Sequence, residues 1–284
     1  MENLVKDTIN FQQLQKEHEH QNNPFAQLEQ MEITEKHVKN IENTKHLFQK
    51  LFIHSHMTLF CSEAGVGKTT LLNFCCTEMV QRGYKVAYIN VDASASDMKY
   101  YFAHADKHGY KLINPDMTGH GIEKVIEWLK AVGNGKADYG KTVVILDTLK
   151  KFTSVMDKRL IVEFNKILRK CTLKGMSIIC ASHTNKFKDE DGNPIYEGTS
   201  DLRNDFDELI YLIQQKHADG SSDVLCTANT DKGGKSRGVV QDTTFHITKE
   251  REVFLNKVTV EIPKIITFPK KEPVKYFGEV EKDI

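Results

Sequence analysis

Net charge is the first thing this 284-residue chain lacks: 39 Lys and Arg balance 39 Asp and Glu. No global field marks it for nucleic acid, a membrane surface or an acidic partner, so any contact with DNA has to be local. An apolar run of membrane-spanning length is also missing. The opening MENLVKDTINFQQLQKEHEH has no basic region followed by an apolar one, so neither a span nor a targeting segment is expected, and the expected location is cytoplasmic. CxxC spacing is absent among Cys61, Cys75, Cys76, Cys171, Cys180 and Cys226, most of which sit in apolar segments. That argues against a disulfide or zinc framework and for small core residues of a reduced protein. What is present is 39% hydrophobic content, enough for a substantial core. The simplest division is a helical arm at 1–45, one catalytic core at 46–262 and a charged, proline-punctuated tail at 263–284.

The chain is organised around MTLFCSEAGVGKTT, Met57 to Thr70: an apolar strand, a glycine turn, then a helix. This is a Walker A loop, with Ser62 where the pattern wants glycine. Ser62, Glu63, Ala64, Gly65, Val66, Gly67, Lys68, Thr69 and Thr70 form the expected nucleotide cradle. Backbone N–H groups of Gly65, Val66 and Gly67 can face phosphate oxygens because glycine permits the turn and leaves no Cβ in the way. Lys68 reaches the β- and γ-phosphates, Thr69 offers its hydroxyl to Mg²⁺, and the helix N-terminus faces the same anion.

Further along, KTVVILDT holds four apolar residues, Val143 to Leu146, ahead of Asp147. That is how a strand buried on both faces of a parallel sheet reads, and ligands bind where such strands end. Asp147 is therefore the expected Walker B acid, holding Mg²⁺ opposite Thr69. KVAYINVD ends at Asp92, and a helix carrying Met98, Tyr101 and Phe102 follows. GIEKVIEWLKAV puts Ile122, Val125, Ile126 and Leu129 on one helical face and gives way to a loop at GNGKADYGK. DKRLIVEFNKILRKCTLKG predicts a helix with a buried stripe of Leu160, Ile161, Phe164 and Leu168, stopped at Gly175. The strand MSIICAS then leads into His183, Thr184, Asn185 and Lys186, and His183 can donate toward a γ-phosphate.

FKDEDGNPIYEGT, 187–199, is full of turn formers and reads as a mobile loop. A short helix or turn and a strand at Leu209 to Ile213 come next, then strands at DVLCTANT and VVQDTTFHI flanking the basic, glycine-rich DKGGKSRG. The clusters His18, Glu19, His20 and His104, His108 suit a metal by spacing, but they read better as solvated faces.

Taken together, these segments resemble the RecA-like ATPases, and within them the RepA-type and DnaB-type hexameric replicative helicases, over about residues 45–250. GVGKTT carries the Walker A resemblance and VVILDTLKKF, with Phe152 after the acid, the Walker B strand. ASHTNK is similar to the sensor motif at a strand end, with His183 as its key residue. GTSDLRNDFDELIYLI is similar to the following segment, in which an acid precedes the next strand. The resemblance implies an α/β fold, a mostly parallel central sheet flanked by helices with antiparallel strands on the C-terminal side. It implies ATP and Mg²⁺ as cofactors and a homo-oligomeric ring, favouring a hexamer.

By the same resemblance Asp92 takes the place of a glutamate that polarises the attacking water. Aspartate is one methylene shorter, so the water is held differently or turnover is slow. Lys235 and Arg237 fit a K-x-R pair presented to the γ-phosphate of the adjacent subunit. The same KSRG also reads as a solvated basic turn or a DNA-phosphate contact. The resemblance further implies a single-stranded DNA motor of plasmid or phage replication, the 187–199 loop being the candidate DNA contact although Asp189, Glu190 and Asp191 make it acidic. A switch protein is the alternative, with ATP controlling a replication or regulatory partner and little hydrolysis.

Overall fold

The computed structural model describes residues 28–29, 31–38, 45–188, 194–238 and 240–256. Most of the expected arm, the His18 cluster and the whole 263–284 tail therefore lie outside the described residues. A one-turn helix, Glu35–Val38, precedes a small antiparallel ribbon of β1 (His46–Phe48) and β2 (Phe52–Ile53). The rest of the strands make one sheet. In chain order these are β3 (Met57–Ser62), α1 (Lys68–Gln81), β4 (Lys85–Asn90), α2 (Ala95–His108), β5 (Lys111–Ile113), α3 (Ile122–Asn134), β6 (Thr142–Asp147) and α4 (Lys158–Thr172). Next are β7 (Ser177–Lys188), β8 (Pro194–Tyr196), α5 (Ser200–Asp205), β9 (Glu208–Lys216), β10 (Ser222–Thr227), β11 (Lys235–Ser236), β12 (Thr243–Ile247) and β13 (Val253–Asn256).

The spatial order is β13-β12-β10-β9-β3-β7-β6-β4-β5, with β11 paired to β9 and β8 to β7. From β5 to β9 the neighbours run parallel, and β10, β12 and β13 add on antiparallel. The unbroken apolar runs follow from burial on both faces. In β6, Val143 and Ile145 pack with the first core cluster, around α1, while Val144 and Leu146 pack with the second, around α3 and α4. β7 divides the same way, with Ile179 and Ala181 on one side and Ile178 and Cys180 on the other. All six cysteines are buried and free.

Several expectations need correction. The 187–199 stretch is not wholly a loop: β7 runs on to Lys188 and pairs antiparallel with β8, so this is a hairpin arm off the sheet, its tip outside the described residues. The helix expected to end at Gly133 instead continues through it to Asn134. The reason is close packing: a Cβ on Gly133 would lie 2.8 Å from Lys170 Cβ on α4, so glycine lets the two helices approach. Leu160 is only half-buried, and Ile161, Phe164, Leu168 and Cys171 carry the apolar stripe of α4. The strand expected at 209–213 is longer, Glu208–Lys216.

Candidate functional site

Parallel pairing brings the carboxyl ends of four strands level. Ser62 lies opposite His183, Asn90 opposite Asp147 and Asp147 opposite Ala181. Above them opens a cleft of about 640 Å³, whose wall includes all of Ser62 to Thr70 together with Asp92, Asp147 and His183. Site residues far apart in the sequence thus meet at one place.

The loop turns on two glycines in the left-handed region, Gly65 at φ 79° and Gly67 at φ 95°. Gly67 caps α1, and a Cβ there would sit 2.8 Å from Ile247 Cδ1. Gly67→Ala is therefore expected to weaken nucleotide affinity about tenfold or more, since backbone strain of roughly 1–3 kcal/mol falls on the cradle itself. Titration with a fluorescent ATP analogue checks this. Ser62, at the departure from the motif, is buried and its hydroxyl donates to Glu63 O at 2.9 Å.

Lys68 is buried, and its Nζ donates to Ser182 O at 3.3 Å, which holds the ammonium at the end of β7. Thr69 Oγ1 donates to Asp147 Oδ2 at 2.9 Å. A hydroxyl and a carboxylate side by side are hard oxygen donors, the set that Mg²⁺ takes beside phosphate. The same Oδ2 accepts from the Tyr88 hydroxyl at 2.7 Å. Burial pushes the Tyr88 phenol well above its ordinary value, and the Asp147 charge adds to the effect, so it stays a donor. Tyr88 is not among the expected residues, and inside KVAYINVD it looks like any strand aromatic. Tyr88→Phe is expected to cost about 1 kcal/mol of stability and to lower turnover a few-fold by loosening Asp147. Thermal unfolding and steady-state kinetics read the two effects separately.

Asn90, fully buried, accepts from the N–H groups of Asp92 and Ala93 at 3.2 and 3.0 Å and so shapes the turn carrying Asp92. The Asp92 carboxylate lies 3.5 Å from Lys151 Nζ, both side chains being partly exposed. Burial lowers the pKa of His183, and the charges of Lys68 and Lys150 lower it further against Asp92 and Glu197. His183 is thus a neutral imidazole near neutral pH, able to donate from one nitrogen. Gln214, Ser222, Ile247 and Arg251 line the wall from the antiparallel end, and Arg251 pairs with Asp97 at 3.7 Å. Nothing in their local sequence announces this role, because strand pairing brings Gln214, Ser222 and Ile247 there and the β12–β13 connection brings Arg251.

Lys235 and Arg237 do not line this cleft. Lys235 Nζ donates to the carbonyls of Arg203, Asn204 and Phe206 at 2.8, 2.9 and 2.6 Å, closing the end of α5. Arg237 binds Asp207 at 3.1 Å with its side chain 55% exposed. Among the described residues no helix is long and apolar enough to cross a membrane.

No family model and no curated protein matches the sequence. Among solved structures, a KaiC-like protein of the hyperthermophilic archaeon Pyrococcus horikoshii OT3 is similar at 12% identity and a TM-score of 0.51, over 76% of this chain and all (100%) of that one. The fold is RecA-like. The flagellar accessory protein FlaH of Methanocaldococcus jannaschii is also similar, at 18% identity and a TM-score of 0.48, over 72% of this chain and 91% of its own. The mostly parallel sheet with its antiparallel extension is the expected architecture.

Proposed function

We propose that this chain binds ATP with Mg²⁺ and hydrolyses it, and that it works as a ring, a hexamer by the resemblance of its motifs, moving on single-stranded DNA. The observation that carries the ATPase reading is the meeting of the glycine loop, Lys68, the Thr69–Asp147 pair and His183 around one cleft. In this reading Lys68 and the loop amides bind the phosphates. Thr69 and Asp147 hold Mg²⁺, which neutralises developing phosphate charge when bound. Asp92 orients the attacking water and His183 donates toward the γ-phosphate. Arg237, exposed at the surface, completes a neighbour's site, while Lys235 shapes the segment that presents it.

The Asp92–Lys151 ion pair favours a second reading, an ATP-controlled assembly protein with slow turnover. A carboxylate paired with an ammonium has to leave that partner before it can orient a water. ATP hydrolysis measured with and without single-stranded DNA, alongside mass in solution with and without ATP, separates the two. Several-fold stimulation and a ring-sized mass support the motor. Unstimulated slow turnover with ATP-dependent change of mass supports the switch and overturns the motor.

A further inference from the structure

A second cluster lies on the antiparallel end of the sheet, facing away from the cleft. Asp223 stands opposite His246 across β10 and β12, and opposite Gln215 across β10 and β9. His217 lies two residues past Gln215, where its N–H donates to Ser221 O in the turn joining β9 to β10. Ser222 and Ile247, next to Asp223 and His246 in their strands, line the cleft. Alternation therefore turns Asp223 and His246 to the opposite face. There Asp223 Oδ1 lies 2.8 Å from His246 Nδ1 and Oδ2 lies 3.0 Å from His217 Nε2. The two rings are near parallel at 29°, with centroids 6.1 Å apart. One donor atom from each of the three residues falls within 4.8 Å of the others.

We propose that His217, Asp223 and His246 form a site for a divalent transition ion of the Zn²⁺ class. Two imidazole nitrogens and one carboxylate oxygen select against Mg²⁺ and Ca²⁺, which take oxygen. Three protein ligands are enough for Zn²⁺, and water fills the fourth tetrahedral position. Donors around Zn²⁺ stand about 3.4 Å apart at ordinary bond lengths, so the 2.8 and 3.0 Å contacts need only a small opening as the ion replaces the hydrogen bonds. All three side chains are about one-third exposed, which leaves them room to turn inward and leaves the ion a way in. The bound ion ties the β9–β10 turn to β12, and these same strands carry Gln214, Ser222 and Ile247 in the cleft wall. The site stands independently of what the cleft binds.

The test uses the full chain stripped with a chelator and titrated with Co²⁺ as a spectroscopic probe, then with Zn²⁺ in competition. The expected result is one Co²⁺ per chain with visible ligand-field absorption, displaced by Zn²⁺, and a Zn²⁺-dependent rise in melting temperature. Asp223→Asn, His246→Gln and His217→Gln should each lower the affinity at least tenfold and abolish the thermal shift, with the metal-free unfolding midpoint unchanged. His104→Ala with His108→Ala serves as the control among the chain's 12 histidines and should change neither. Absorption and affinity that persist in the Asp223 and His246 variants, or the lack of one-to-one binding by the wild type, overturn the proposal.

Discussion

Replacing Lys68 by alanine is expected to lower ATP turnover on the order of 100-fold or more while leaving the fold intact. The ammonium is buried at the mouth of the glycine loop, within 3.3 Å of the Ser182 carbonyl. Its charge is therefore directed at whatever anion enters the cleft. A positive group in a water-poor site gains most when phosphoryl charge develops, so the loss falls on the transition state more than on ground-state binding. Alanine removes a single hydrogen bond to a carbonyl, so the denaturation midpoint should move little. A variant that retains more than a third of wild-type turnover would show that the loop does not act on phosphate.

The largest effect on stability is expected at Asp207, in the segment between α5 and β9. Its carboxylate accepts from Arg169 Nη1 and Nη2 at 2.7 and 3.0 Å, from Arg237 at 3.1 Å, and from the N–H of Met57 at 2.9 Å. It thereby ties α4 and the β11 segment to the start of β3, the strand that delivers the phosphate loop. Burial alone would push the Asp207 carboxyl up, but the Arg169 hydrogen bonds, the Met57 N–H and the charges of Arg169 and His56 outweigh it and hold it low. Asp207→Ala leaves a buried N–H and two facing guanidiniums without their acceptor. The expected cost is about 3 kcal/mol, the lower end for a broken buried pair because Arg169 is one-third exposed. That corresponds to roughly 6–12 °C in melting temperature.

The pH dependence has a definite sign. A carboxyl whose folded pKa is depressed adds stability that is fully present above the unfolded value of about 3.9 and is lost as pH falls through the folded value. The gap between wild type and Asp207→Ala should therefore narrow as pH falls below about 4. A loss under 1 kcal/mol at pH 7, measured by urea unfolding, would contradict the account.

Particular residues show how far the sequence carries. Asp147 was legible because four apolar residues precede it, and only a strand covered on both faces tolerates such a run. The glycine loop was legible because its chemistry needs small residues at fixed offsets. An acid ahead of the next strand was legible, but Asp207 and its partners Arg169 and Met57, far apart in sequence, are brought together only by the fold. Gly133 reads as a helix stop, and only its contact with α4 shows why the helix passes through it. The β7–β8 hairpin was hidden by the turn formers of 187–199, since strand pairing there depends on the partner more than on local propensity. Tyr88, Asn90, Ser222 and Arg251 carry no local signal at all: Asn90 and Ser222 reach the cleft by sheet register, Arg251 by the β12–β13 connection, and Tyr88 stands behind the cleft on Asp147. Lys235 and Arg237 keep the expected spacing, yet they lie away from their own chain's cleft, so the role proposed for Arg237 belongs to an assembly while Lys235 is held by the carbonyls of its own chain.

The most direct test of the central claim is equilibrium binding of a fluorescent ATP analogue to the purified chain with Mg²⁺, competed by unlabelled ATP. The account predicts one saturable site per chain, weakened by Gly67→Ala and by chelation of Mg²⁺. An absence of saturable binding, or binding unchanged by Gly67→Ala and by chelation, would contradict it.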